Sequence, residues 1–104
     1  MTRPPALLLL LATLLAPAGH AIANPELAQT RHCLTCHAPN KKLIGPSFKD
    51  VAARYRLDPG ASERLTHKVL KGGGGVWGNA VMPSNPQLSE AEARQLVGWI
   101  LGLK

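Results

Sequence analysis

Cys33-Leu34-Thr35-Cys36-His37 is the stretch from which this chain is read. Two thiols two residues apart, followed at once by a histidine, form the attachment pattern of a c-type haem. Each thiol can bond one vinyl group of the same haem, and the histidine then stands under the iron as an axial ligand. Cys33 and Cys36 are therefore candidates for cofactor attachment and His37 for the metal. Three plainer readings compete: a disulfide, half of a zinc site, and a thioredoxin-like redox pair. A structural zinc site needs four ligands, usually a second cysteine pair or paired histidines, and a redox pair belongs in a βαβ pattern. The chain has only 2 cysteines and shows no such pattern.

On the N-terminal side, residues 1–23 have the anatomy of an export signal. Arg3 gives a short positive start, Leu7 to Leu15 an almost unbroken apolar run, and Ala21-Ile22-Ala23 the small-x-small cleavage pattern. The run is short for a membrane span. Cleavage after Ala23 leaves 104 − 23 = 81 residues, Asn24 to Lys104, expected as a single periplasmic domain. A core of that size seldom holds itself together without a staple. Covalent haem is such a staple, an apolar plate for Leu27, Leu43, Ile44, Phe48, Val51, Leu65, Val69, Val81, Leu96 and Trp99 to pack around. The formal charge of +6 becomes 6 − 1 = +5 without Arg3, a basic surface that favours acidic partners.

On the C-terminal side the signals are helical. Pro25 marks the start of a short first helix that runs into the haem motif. Ala38 to Pro46 reads as a loop carrying Lys41 and Lys42. Ser47 opens a second helix, with Asp50 three residues on, and Phe48, Val51, Ala52 and Tyr55 fall on one face. Asp58-Pro59-Gly60 ends it. A third helix starts near Ser62 and turns Leu65 and Val69 inward, with Gly72 available as its cap. Gly72 to Gly75 suits close backbone passage at the edge of the haem. Val76 to Leu88, with Pro83 and Pro86, is a loop. Ser89-Glu90-Ala91-Glu92 is a capping box before a last helix with Leu96, Trp99, Ile100 and Leu103 on one face. No strand alternation, repeat, phosphate-binding glycine loop or nucleophile–base pair is visible.

The face of the iron away from His37 needs a ligand from further along the chain: Met82, His67, His32 or water. Met82 lies in the proline-bearing loop, where non-helical backbone can aim a side chain at a metal, although an isolated methionine is usually core filler. Methionine ligation is the expectation. His67, beside Lys68 on the third helix, reads as a surface group, and His32 adjoins Cys33 too closely to reach the far face.

Taken together, Cys33–His37, the run Gly45-Pro46-Ser47-Phe48-Lys49-Asp50-Val51-Ala52-Ala53, Val76-Trp77-Gly78, Met82-Pro83-Ser84-Asn85 and Trp99-Ile100-Leu101 resemble the class I bacterial cytochromes c, most closely the small c-551 and c-552 type. The resemblance implies an all-α fold of about four short helices wrapped around one covalent haem c. It implies an iron held by His37 and Met82, with the Pro46 carbonyl accepting the Nδ1–H of His37. It further implies that Trp77 donates its indole N–H to a haem propionate and that Asn85 hydrogen-bonds near the methionine sulfur. The chain departs from that pattern at His32, where glycine is common, in lacking an aromatic residue on the first helix, and at Lys68, where some relatives carry arginine near a propionate. The function implied is a soluble, monomeric electron carrier of the periplasm, not an enzyme and not a nucleic-acid binder. Its acceptor would be a reductase such as nitrite reductase or a terminal oxidase, and its donor a quinol-oxidising complex. The alternatives are a gas sensor or weak peroxidase with a labile methionine, and an accessory haem subunit docked permanently to a respiratory enzyme.

Overall fold

The computed structural model describes residues 1–2, 12–15 and 24–104. Most of the export-signal reading over residues 1–23 lies outside the described residues. The described elements are α1 (Asn24–Thr30), a 3₁₀ turn (Cys33–Thr35), α2 (Phe48–Arg54), α3 (Ala61–Lys71), β1 (Gly73–Gly74), β2 (Val81–Met82) and α4 (Glu90–Leu101).

α2 and α4 start where a side chain replaces the missing backbone acceptors of the first turn. At α2 the Ser47 hydroxyl accepts from the Asp50 amide at 3.0 Å. At α4 the box is reciprocal: Ser89 accepts from the Glu92 amide, and Glu92 accepts from the Ser89 amide, both at 3.1 Å. Before α3 the Asp58 carboxylate takes the Gly60 amide at 2.9 Å and pairs with Arg64, so the Asp-Pro-Gly turn sets the helix start at Ala61. Gly72, with φ of 80°, ends α3.

α4 is the hub, packing against α1, α2 and α3. Leu27 and Ala28 of α1, Phe48 of α2, Leu96 of α4 and Leu88 from the loop before it form the buried core. Phe48 meets Trp99 edge-on at 5.6 Å. α1 is fastened to α4 by Arg31, whose guanidinium binds Glu92 at 2.8 and 3.1 Å, and by Gln95 to Asn24 at 2.8 Å.

Two expectations change. Leu43, expected among the residues packed around a haem plate, sits instead in the 38–46 loop and is 41% exposed; Ile44 and Val81 line a cleft. The loop expected over Val76 to Leu88 is also interrupted by a strand, because Gly73 pairs with Met82 and Gly74 with Val81 in a short antiparallel ladder.

Candidate functional site

A cleft of about 260 Å³ is bounded by the haem-motif turn, α2, α3, the β1–β2 ladder and α4. It brings together Cys33, Cys36, His37, Pro46, Trp77, Met82 and Asn85, residues drawn from a span of 85 − 33 = 52 positions. Its lining is mainly apolar, from Ile44, Val51, Leu65, Val69, Val81 and Ile100. His32 stands at its edge, and His67 is on the outside of α3.

The His37 ring is fixed on three sides. Its Nδ1–H donates to the Pro46 carbonyl at 2.7 Å. Phe48 stacks on it with centroids 5.3 Å apart and planes 23° from parallel. Gly45 passes so close that a Cβ there would meet His37 Cε1 at 2.6 Å and Nδ1 at 2.9 Å. The same loop is tied to the motif by the Gly45 amide, which donates to the Cys36 carbonyl at 2.8 Å. A carbonyl only accepts, so the proton is held on Nδ1 and the Nε2 lone pair is left for a metal.

Neither cysteine is in a disulfide, and both are half-buried. Burial pushes the Cys33 thiol above its ordinary range. His32, immediately before it, has φ of 65° and ψ of 20°, the left-handed region. That conformation is the physical reason for a preference for glycine here, and an L side chain occupies it at a cost.

Met82 is positioned by backbone. Gly72 lies under its segment so closely that a Cβ would meet Met82 O at 2.6 Å and Ser84 N at 2.8 Å. The close passage read from the glycine run is thus made against the Met82–Ser84 backbone. The Asn85 amide donates to Val69 O at 2.8 Å, its backbone N–H donates to Leu70 O at 3.2 Å, and its side-chain oxygen accepts from Gln87 at 3.0 Å. Asn85 therefore ties the loop to the end of α3. Trp77 is half-buried at the cleft wall with the Arg54 guanidinium 5.0 Å from its ring centroid. Sequence reading passed over the reason for Gly45 and the presence of Arg54. The Gly-Pro dipeptide is a signal for the first; the second depends on a contact across the fold.

One imidazole nitrogen with a free lone pair, one thioether and two thiols on a shared apolar cleft are a donor set that fits a covalently attached haem. Among the described residues no group of three or more His, Cys, Asp or Glu side chains is placed to hold a metal ion by itself. Comparison with known proteins agrees with that chemistry. Residues 23–104 match the Cytochrome c family model. The chain belongs to the cytochrome c family. It is 45% identical over 91 residues to cytochrome c-551 of Allochromatium vinosum, covering 88% of this chain and 97% of that protein. It is 42% identical over 93 residues to cytochrome c-552 of Nitrosomonas europaea, covering 89% and 90%. The crystal structure of wild-type Nitrosomonas europaea cytochrome c552 superposes with a TM-score of 0.75 at 41% identity, over 77% of this chain and 99% of that one. The fold is that of a class I cytochrome c, and the protein is a small c-type cytochrome that carries electrons.

Proposed function

We propose that Cys33 and Cys36 anchor one haem c through thioether bonds, that His37 Nε2 and the Met82 sulfur are the axial ligands of its iron, and that the protein shuttles single electrons in the periplasm. The observation that supports this best is the hydrogen bond from His37 Nδ1–H to Pro46 O, which presents Nε2 as a ligand. The haem supplies a reversible one-electron couple. The chain's part is to keep the donors still: Gly45 and Phe48 wedge the imidazole, while the β1–β2 ladder, Gly72 and Asn85 hold the methionine segment. A thioether donor favours the ferrous state and raises the potential. Trp77 is read as the indole donor to a propionate, and Asn85 as the residue that keeps the methionine loop aimed.

The charge distribution supports an acidic redox partner. Four of the 6 carboxylates are taken up by three arginines: Glu92 by Arg31, Asp58 by Arg64, and Glu63 and Glu90 by Arg94. Lys41, Lys42, Lys49, Lys68 and Lys71 form no ion pair among the described residues, and Lys42 and Lys68 line the cleft. Their field steers an oppositely charged protein towards the cleft side. A reductase such as nitrite reductase or a terminal oxidase is proposed as acceptor, and a quinol-oxidising complex as donor.

The test is Met82→Ala in the haem-loaded protein. Covalent colour should persist, the methionine-to-iron band should vanish, and the reduction potential should fall. An unchanged spectrum and potential would mean another sixth ligand. A wild-type ferrous spectrum that shifts on adding CO would favour the gas sensor.

A further inference from the structure

Trp77 sits on a segment with little to hold it. Gly75 and Gly78, on either side, have φ of 87° and 108°, and a Cβ at either would have no atom within 4 Å. The β1–β2 ladder ends at Gly74 and resumes at Val81, so residues 75–80 form the bend between the two strands without ladder bonds of their own. The indole is nevertheless half-buried at the cleft wall. Among the described residues the charged group set against its face is Arg54, the last residue of α2, with its guanidinium carbon 5.0 Å from the ring centroid. The Tyr55 ring lies 5.9 Å from the same guanidinium. Arg54 forms no ion pair among the described residues, although Arg31, Arg64 and Arg94 all do.

We propose that Arg54 is a positioning residue for Trp77: its flat guanidinium clamps the indole, and with it the 75–80 bend, to the end of α2 across the mouth of the cleft. Arginine suits the task because its planar cation lies over an aromatic face, which the compact ammonium of lysine does less well. α2 is a fixed support, capped by Ser47 and anchored by buried Phe48 and Ala52. The clamp therefore transmits the rigidity of the helix to a segment whose glycines supply none. Its effect on the haem rests on the reading of Trp77 as a propionate donor. With the indole held, its N–H stays directed at the acidic edge of the haem and offsets negative charge near the iron. Release of the indole stabilises the ferric state and lowers the potential.

The experiment uses haem-loaded protein carrying Arg54→Ala or Arg54→Lys, each alone and with Trp77→Phe. Arg54 is exposed on a helix end and alanine is a good helix former, so these variants should fold. Hydrogen exchange of the Trp77 indole N–H, followed by NMR, should quicken about 2–5-fold in Arg54→Ala, the range of an exposed cation–π contact, and less in Arg54→Lys. Arg54→Ala should also lower the midpoint potential, and that drop should disappear in the Trp77→Phe background, because the effect travels through the indole. Unchanged indole exchange in Arg54→Ala overturns the proposal. So does a potential drop that survives in Trp77→Phe, which would make Arg54 a remote charge. If Trp77→Phe alone leaves the potential unaltered, the propionate role of Trp77 fails, while the exchange measurement still decides the clamp.

Discussion

Gly45→Ala should destabilise the protein by crowding the His37 ring, and the size of the effect follows from two distances. A Cβ at position 45 would stand 2.6 Å from His37 Cε1, whereas carbon atoms settle at about 3.5–4.0 Å. The ring or the backbone must therefore give way by about 0.9–1.4 Å. The ring cannot move that far and keep its Nδ1–H on Pro46 O, which is 2.7 Å away now and would pass the usual limit of about 3.2 Å. Overpacking costs about 1–3 kcal/mol and the lost hydrogen bond about 0.5–1.5 kcal/mol. Against this, alanine reduces the freedom of the unfolded chain, worth about 0.4–1 kcal/mol. The net expectation is a loss of about 0.5–4 kcal/mol, read as a lower guanidinium midpoint of the ferric, haem-loaded protein at unchanged slope. Backbone strain plays no part, since Gly45 is not among the glycines with positive φ. Gly98→Ala is the control: it lies in α4 with nothing within 4 Å of an added Cβ, and should stabilise by up to about 1 kcal/mol. A Gly45→Ala variant as stable as its parent, or stabilised like Gly98→Ala, would refute the reasoning.

His32→Gly should stabilise the protein by up to about 1.5 kcal/mol, because relief of a left-handed residue returns about 1–2 kcal/mol and the freer unfolded chain takes part of it back; thermal unfolding would show it. Glu92 is held below the usual carboxylate range first by the Arg31 hydrogen bond and then by the Ser89 amide. Its folded value thus lies below its unfolded one, so its contribution is complete above the unfolded value and disappears as pH falls through the folded one. Glu92→Gln should therefore lower stability at neutral pH and flatten the acid limb of a denaturant-midpoint titration; an unaltered limb would count against the pair. Neutralising Lys41, Lys42, Lys49 and Lys71 together should slow association with an acidic redox partner and weaken its dependence on salt, with the potential nearly constant; stopped-flow rates across ionic strength decide it.

Local chemistry was the legible part of this sequence. Ser47 and Ser89 announce α2 and α4 because a capping hydroxyl and its amide are three residues apart, and the structure makes both bonds. The attachment pentapeptide is equally local. What escaped notice depends on distance in the fold. Gly73 and Met82 pair across nine positions with only two rungs, too short for any alternation to register. Arg54 and Trp77 meet through the packing of α2 beside the 75–80 bend. Leu43 reads like Ile44 and Val81 as a residue for a haem plate to pack against, yet only Ile44 and Val81 line the cleft, because the course of the 38–46 loop decides which of them reaches it. The left-handed turn at His32 leaves one trace, the glycine that the resemblance puts at this position; the histidine itself announces nothing.

The clasp between α1 and α4 has a consequence for timing. Arg31 finds Glu92 across 61 positions and Asn24 finds Gln95 across 71, so the first helix has no place to dock until the last one has been made. Until α4 has formed, the two thiols belong to an accessible stretch of chain, open to whatever machinery modifies them. A truncation before Ser89 would make that state permanent: cysteines still reachable, but with no α4 against which the finished site could close.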